Sequence, residues 1–163
     1  MSDAFVDQIV NRLNETANSP DDAARHAGWL GLLDDLLARF ECQVGTIHRL
    51  NAASGLLHLV AQRGVPEAIL DRVRVIPVGK GMAGLAAERR EAVQVCNLQT
   101  DTSGQAKPGA RQTGMEGSIA APMLVDGVVR GTLGVAKPVV YEFTDDEKRL
   151  LMTIGAAIGR VID

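Results

Sequence analysis

The sequence predicts an α+β domain in which helices cover a central sheet. Three observations indicate this class. Apolar residues recur at helical spacing near both ends of the chain, the period changes to that of strands between residues 43 and 138, and two hairpin turns interrupt that central region. With 163 residues, 46% of them hydrophobic, the chain can bury one full core. We therefore expect a single domain over residues 1–163.

Two helices are predicted before the sheet, within residues 1–40. The first ends near Asn14, after apolar residues that step at helical spacing. The segment Asn18–Asp21 separates the two helices. It offers an N-cap for the second helix, with a proline at or near the first turn. The second helix then runs from about Asp21 to Phe40, and its leucine-rich stripe indicates a surface that faces the core.

A hairpin opens the strand region. The strands are predicted over 44–50 and 56–62, joined by the five-residue turn Asn51–Gly55. This turn length would set Leu50 opposite Leu56 and Ile47 opposite Leu59. A short helix around 66–71 and a strand around 73–78 follow.

A glycine-rich turn is the most informative stretch. Gly79, Gly81 and Gly84 fall where an apolar strand must pass into an alanine-rich helix over about 82–90, so the chain turns sharply and the helix start lies bare. A bare helix N-terminus attracts polar or anionic groups.

A long polar loop comes after a short strand over 92–96. The loop Asn97–Gly114 contains several glycines and almost no apolar residue besides Leu98, so we expect no continuous regular element there. Loops of this length in a compact domain are usually functional lids or disordered segments, and we interpret this one as a mobile lid.

The second hairpin has strands over 118–125 and 128–136 around the two-residue turn Asp126-Gly127. This dipeptide suits a type I′ turn, which would pair Val125 with Val128 and Ser118 with Val135. Both faces carry apolar or small residues, so the sheet should be covered on both sides.

The last helix is predicted over 144–162. Thr144 and Glu147 match a capping box, and the acidic residues between them complement the helix dipole.

The composition excludes several classes of function. A net charge of −3 offers no basic field for direct nucleic-acid binding, and no apolar run approaches the roughly 18 to 20 residues that span a membrane. The start of the chain does not resemble an export signal, so we expect a cytoplasmic protein. No metal site or cofactor is predicted, because Cys42 and Cys96 form no ligand cluster and His48 and His58, even if they face each other across the first hairpin, lack a third ligand.

The order of these parts resembles the GAF domain family. The resemblance extends from about Ala23 to Val161 and includes a hairpin ending in Gly64-Val65-Pro66, the phrase Ile-Pro-Val-Gly-Lys-Gly-Met-Ala-Gly over 76–84, and a loop beginning Asn97-Leu98. It also includes the hairpin at Asp126-Gly127-Val128 and Phe143-Thr144-Asp145-Asp146-Glu147 before the last helix.

The resemblance implies α/β/α layers around an antiparallel sheet of about six strands. The N- and C-terminal helices would cover one face, and a ligand pocket roofed by the short helix and the long loop would lie on the other, within residues 43–138. GAF domains bind small molecules such as cyclic nucleotides, bilins, haem or metabolites, or act mainly as dimerisation modules. The fold does not choose among these functions.

Two specific versions of the family do not match. Bilin-binding relatives use a cysteine and an aromatic, histidine-containing pocket, whereas this chain is 3% aromatic and has no histidine after His58. Cyclic-nucleotide relatives often carry asparagine, lysine, phenylalanine and an acidic pair, but the phenylalanine and the pair do not follow Asn97 and Lys107 at suitable spacing.

The enzyme alternative is a free methionine-R-sulfoxide reductase, which is also a short GAF protein. Its chemistry needs one thiolate to attack the sulfoxide and a second thiol to resolve the product. The family has cysteine where this chain has Ala83, and further cysteine in the loop where 97–114 has none. No catalytic residue is therefore predicted, although a reactive Cys96 stays open as an alternative.

We expect a non-catalytic sensory domain with a small-molecule pocket. The predicted wall mixes adaptable apolar side chains with a few polar groups, and its two loop cations would favour an anionic ligand. The candidate ligand-binding residues are Met82, Ala83, Asn97, Asp101, Lys107, Arg111, Thr113, Met115, Ser118 and Thr132.

Dimerisation without a ligand is the second hypothesis. Glu147, Leu151, Ile154, Ile158 and Val161 follow the spacing of a coiled-coil seam. The first helix has little sheet left to cover, so a homodimer through the first and last helices is predicted.

Overall fold

A computed structural model describes residues 3–162 and contains five α-helices and six strands within that range. The helices are α1 (Ala4–Ala17), α2 (Asp22–Phe40), α3 (Glu67–Arg74), α4 (Gly81–Arg89) and α5 (Asp145–Gly159). The strands are β1 (Val44–Asn51), β2 (Leu56–Arg63), β3 (Val75–Pro77), β4 (Val93–Val95), β5 (Gly117–Val125) and β6 (Val128–Lys137). A 3₁₀ helix, Pro108–Thr113, lies in the long loop.

The strands form one antiparallel sheet in the order β3-β2-β1-β6-β5-β4. The two hairpins β1–β2 and β5–β6 join edge to edge through β1 and β6, and the short strands β3 and β4 close the two ends. The predicted α+β class with an antiparallel sheet of six strands is confirmed.

One face of the sheet carries the main core. Helix α2 packs on β1 and β2, α5 packs on β5 and β6, and α1 lies outside against α2 and α5. Alternation along the strands turns Ile47, Leu133 and Val135 toward these helices, where they are almost fully buried. This face is filled by large aliphatic side chains.

The helix starts follow the predicted capping chemistry. The Asp21 carboxylate accepts a hydrogen bond from the Ala24 amide at 2.8 Å, and Thr144 and Glu147 form the complete capping box of α5. These caps satisfy backbone amides that a helix start otherwise leaves without partners.

The predicted registers of both hairpins are wrong away from their turns. In the first hairpin Asn51 belongs to β1 and pairs with Leu56, so the turn is one residue shorter than predicted, Leu50 pairs with Leu57, and His48 lies opposite Leu59 rather than His58. A further register shift between Ile47 and His48 places Ile47 opposite Ala61.

The predicted register of the second hairpin is correct next to the turn and wrong at the other end of the strands. Val125 pairs with Val128 as predicted, but a register shift between Pro122 and Leu124 places Ser118 opposite Ala136 instead of Val135.

Two further expectations need correction. Helix α3 continues to Arg74 and leaves only Val75–Pro77 for the strand predicted over 73–78. In α5, Leu151, Ile154 and Ile158 are at most 1% exposed because they pack within this chain's own core, so they are not available for a coiled-coil seam.

The contact between α4 and the end of β3 provides a test of the fold. A Cβ atom at Gly84 would lie 2.4 Å from the carbonyl oxygen of Pro77, a backbone atom that cannot move aside alone. We expect Gly84→Ala to lower the free energy of unfolding by about 1–3 kcal/mol in urea denaturation, the usual cost of an overpacked site. Gln8→Ala, a change at an exposed position of α1, should alter it by less than about 0.5 kcal/mol. Equal stabilities of the two variants would contradict the close packing of α4 on β3.

Candidate functional site

The face of the sheet opposite α2 and α5 is only partly filled. Its floor is built from small side chains on three neighbouring strands, among them Thr46, Ser118, Ala120, Gly134 and Ala136. A cavity of about 460 Å³ lies between these small side chains and the elements that cover them.

The roof consists of α3, the start of α4 and the long loop. Ile69 and Val73 come from α3, Met82 and Ala83 from the first turn of α4, and Leu98 from the start of the loop. Residues 106–110 and Thr113, most of them in the 3₁₀ helix, complete the cover. We call this space the inner cavity.

Helix α4 begins at the cavity because of backbone contacts within the glycine-rich turn. The Gly79 amide donates to the Gly84 carbonyl at 2.8 Å, and the Lys80 amide donates to the Pro77 carbonyl at 3.1 Å. Gly79 and Gly81 have φ values of +90° and +65°, which glycine adopts without the strain of a side chain. No side chain caps α4, so its first amides lie bare beside the inner cavity.

Cationic side chains surround the inner cavity and no acidic residue of the described chain lines it. Arg72, Lys80 and Lys107 are the charged lining residues, and all three are exposed. None of them forms an ion pair within residues 3–162. The local potential therefore favours a negatively charged group at the rim.

A second space, the outer groove, lies on the other side of residues 106–108. It has a volume of about 450 Å³ and includes Asp101, Thr102 and Arg111, which do not line the inner cavity. Lys80, Gly81, Leu98 and residues 106–108 line both spaces, so these residues form the wall between them.

The structure divides the ten predicted ligand-binding residues into three groups. Five line the inner cavity: Met82, Ala83, Lys107, Thr113 and Ser118. Asp101 and Arg111 line only the outer groove, where the Arg111 guanidinium donates to the Asp101 carbonyl at 3.1 Å.

The remaining three, Asn97, Met115 and Thr132, line neither space. Asn97 accepts the Gln99 amide within its own turn, and Met115 packs in a small apolar cluster with Val95 and Leu98. Thr132 is buried on β6 opposite His48.

The predicted site residues include none from α3, although a short helix was expected in the roof. Arg72 crosses toward the 3₁₀ helix, since a Cβ atom at Gly109 would lie 3.1 Å from its Nη1 atom. This contact joins residues far apart in the chain, and no local motif marks it. The amphipathic spacing of Ile69 and Val73 is the one signal that could have identified the lining residues of α3.

His48 and Thr132 form a buried polar pair deeper in the same face. The Nε2 atom of His48 lies 2.7 Å from the Val73 carbonyl oxygen, so Nε2 carries the proton and donates it. Nδ1 of His48 and Oγ1 of Thr132 have no hydrogen-bond partner among the described residues. Burial lowers the pKa of His48, the bond to Val73 opposes this shift, and nearby His58 adds to it.

Residues 3–162 contain no cluster of histidine, cysteine and acidic side chains suited to a metal ion. They also contain no helix long and apolar enough to span a membrane. Cys42 and Cys96 are both free thiols. Burial raises the pKa of Cys42 to about 12, whereas Cys96 is exposed, and neither lines the inner cavity.

An antiparallel six-stranded sheet with helices on one face and a roofed cavity on the other defines a small α+β domain. The chain belongs to the GAF domain family, whose model matches residues 3–163. The sequence has no match among curated proteins.

Solved structures of similar fold include both sensory and enzymatic proteins. The GAF domain of a phosphoenolpyruvate-protein phosphotransferase from Acinetobacter is 18% identical with a TM-score of 0.73, over 99% of this chain and 94% of that one. Free methionine-R-sulfoxide reductase from Neisseria meningitidis, in complex with its substrate, is 17% identical with a TM-score of 0.72, over 98% and 90%. The GAF domain of nlh2 from A. aeolicus, in an inactive state, is 18% identical with a TM-score of 0.68, over 97% and 95%.

The buried histidine predicts how stability depends on pH. Because its folded-state pKa lies below the unfolded value of 6.5, the unfolded chain binds more protons in the window below pH 6.5, and acidification through that window destabilises the protein. His48→Gln should flatten the fall in unfolding free energy between pH 7.5 and 5.5, by at most about 1.4 kcal/mol per pH unit, the limit for one proton. Urea denaturation at several pH values measures this. His26→Gln, a change at an exposed position of α2, is the control and should keep the wild-type slope. Parallel slopes for His48→Gln and the wild type would contradict a depressed pKa.

Proposed function

We propose that this chain is a non-catalytic sensory domain that binds a small molecule in the inner cavity. The observation that carries the proposal is the cavity itself, which lies between a floor of small residues and a roof of short elements. Its volume falls in the range of small-molecule sites, and its mostly apolar wall with a few hydroxyl groups is typical of them. A putative GAF sensor protein and a domain of a putative two-component sensor histidine kinase among the similar structures support the same class.

The charges around the cavity support an anionic ligand. Three cations line the cavity without an ion pair among the described residues: Arg72, Lys80 and Lys107. The bare amides at the start of α4 also favour a negatively charged group. A cationic ligand would meet this field unfavourably.

The lining residues do not favour reductase chemistry. No cysteine lines the inner cavity, and Ala83 occupies the place in the helix start where the resemblance to the reductase expects a thiol. Cys42 is held as a thiol by burial, because its pKa is raised to about 12. A free amino acid also carries an ammonium group, for which no carboxylate lines this cavity. Free thiols fit the reducing cytoplasm, which we propose as the location.

A screen with a cavity-filling variant tests the proposal. Ala83→Phe places a ring in the inner cavity, whereas Ala38→Phe adds the same ring to the exposed side of α2 as a control. In a thermal-shift screen of a metabolite library, we expect at least one compound to raise the melting temperature of the wild type and of Ala38→Phe but not of Ala83→Phe.

Two results would contradict the proposal. One is a screen in which every stabilising compound acts equally on both variants, because binding would then lie outside the inner cavity. The other is consumption of free methionine-R-sulfoxide with oxidation of the protein's thiols, which would identify an enzyme.

Dimerisation is the second candidate function, and the exposed side of α1 favours it. Val10 is 38% exposed there, and α1 contacts only other helices among the main packing partners. Because α1 packs beside α5, a two-fold interface could include both helices, as in many symmetric dimers.

Light scattering after size exclusion tests this candidate. We expect a dimer at micromolar concentration that Val10→Lys shifts toward the monomer, because a lysine in an apolar interface loses hydration without gaining a partner. Val128→Lys, at the exposed tip of the second hairpin, is the matched control and should remain dimeric. A monomeric wild type would exclude the interface.

A further inference from the structure

The wall between the inner cavity and the outer groove carries two lysines. Lys80 and Lys107 line both spaces, together with Gly81, Leu98 and residues 106–108. A ligand that extends from the inner cavity into the groove therefore passes residues that include these two lysines. Both spaces border the same two cationic side chains.

Glycine backbone places Lys107 at this boundary. A Cβ atom at Gly81 would lie 3.6 Å from Cγ and 3.9 Å from Cε of Lys107, so the aliphatic stem of the lysine lies along the first residue of α4. Long basic side chains commonly cover apolar surface with the stem and keep the charged end in water. The stem of the exposed Lys107 thus lies beside the start of α4, and the residue lines both spaces.

The interior of the cavity offers little to a polar ligand. Its polar side chains besides the rim cations are Thr46, Thr113 and Ser118. The Thr113 hydroxyl already donates to the Ala110 carbonyl at 2.7 Å and accepts the Met115 amide at 3.1 Å. A base, a sugar or a zwitterion would lose hydration there without enough partners, whereas a hydrocarbon gains by transfer from water.

The single acidic residue that lines the outer groove is occupied by its own turn. Asp101 accepts the Ser103 hydroxyl at 2.8 Å and the Ser103 amide at 3.3 Å. The other charged groove residues are Lys80, Lys107 and Arg111. The groove therefore keeps a cationic balance next to the boundary.

We propose that the ligand is an amphipathic anion that spans the boundary: an apolar body fills the inner cavity, and a carboxylate or phosphate head lies between Lys80 and Lys107 at the start of α4. This inference rests on the proposed sensory function and specifies its ligand class. Burial of the hydrocarbon supplies most of the affinity, and the two ammonium groups with the α4 amides select the charge of the head.

Four probes of equal chain length test the charge of the head. They are n-octanoate, n-octyl phosphate, 1-octanol and n-octylamine, measured by isothermal titration calorimetry. We expect the two anions to bind more tightly than 1-octanol and n-octylamine to bind most weakly. The preferred anion distinguishes a carboxylate head from a phosphate head, and either preference supports the inference.

Variants of the two lysines test the boundary. Lys80→Gln combined with Lys107→Gln should weaken binding of the preferred anion at least about tenfold, the scale of a lost charge-assisted hydrogen bond, and leave 1-octanol binding unchanged. Lys148→Gln, in α5, removes a lysine that pairs with Asp145 and lines neither space, and should change nothing. Both lysines of the boundary are exposed, so melting without ligand should be the same in the double variant.

The outcomes separate this inference from the sensory function itself. If library compounds bind the wild type and not Ala83→Phe, but the octyl probes bind without preference for anions or without dependence on Lys80 and Lys107, the ligand class is wrong and the sensor stands. Failure of every compound and probe to bind in the cavity would overturn both.

Discussion

The short backbone contact between the end of β3 and α4 determines most of what is distinctive about this molecule. The hydrogen bonds from Gly79 to Gly84 and from Lys80 to Pro77 fold the chain back so closely that a Cβ atom at Gly84 would collide with the Pro77 carbonyl. Helix α4 consequently begins beside the cavity, which Met82 and Ala83 line, while Ala86 packs with Val93 and Ala120 of the sheet. The cavity, the bare amides and the position of Lys80 all follow from that geometry.

The two faces of the sheet differ because alternate residues of the same strands differ in size. On β6, Leu133 and Val135 point to the helices and belong to the main core, whereas Gly134 and Ala136 point to the cavity. Large residues on the first face give close packing with α2 and α5. Small residues on the second leave a space below the roof, although Ala120 packs with Ala86 of α4 and Ala136 packs with Leu98 of the long loop.

Much of the fold could be predicted from short stretches of sequence. The errors arise where the structure depends on contacts between residues far apart in the chain or on irregularities that no residue type marks. The turn at Asp126-Gly127 has φ values of +51° and +77°, as a type I′ turn requires, and its adjacent pair was predicted correctly. The first turn is one residue shorter than predicted, and irregularities near His48 and Met123 shift both registers further, with no residue type that marks them. The stripe on α5 is real, but its spacing does not distinguish a seam between chains from a core within one. In the site, Met82 and Ala83 follow directly from the glycine motif, whereas Arg72 enters through a tertiary contact with Gly109 that only the folded chain creates.

Similarity of fold gives little information on function in this family. The phosphotransferase GAF domain and the sulfoxide reductase are equally similar to this chain within one percentage point of identity and 0.01 in TM-score, so the backbone alone cannot favour one over the other. The proposed choice between them rests on the side chains around the cavity, because a reductase site requires a thiolate next to its substrate and a zwitterionic substrate requires both signs of charge. This cavity has cations at its rim, hydroxyl groups within and no cysteine or carboxylate among its described lining residues. The proposal of a sensor therefore depends on a few lining positions, of which Ala83 is the most direct example.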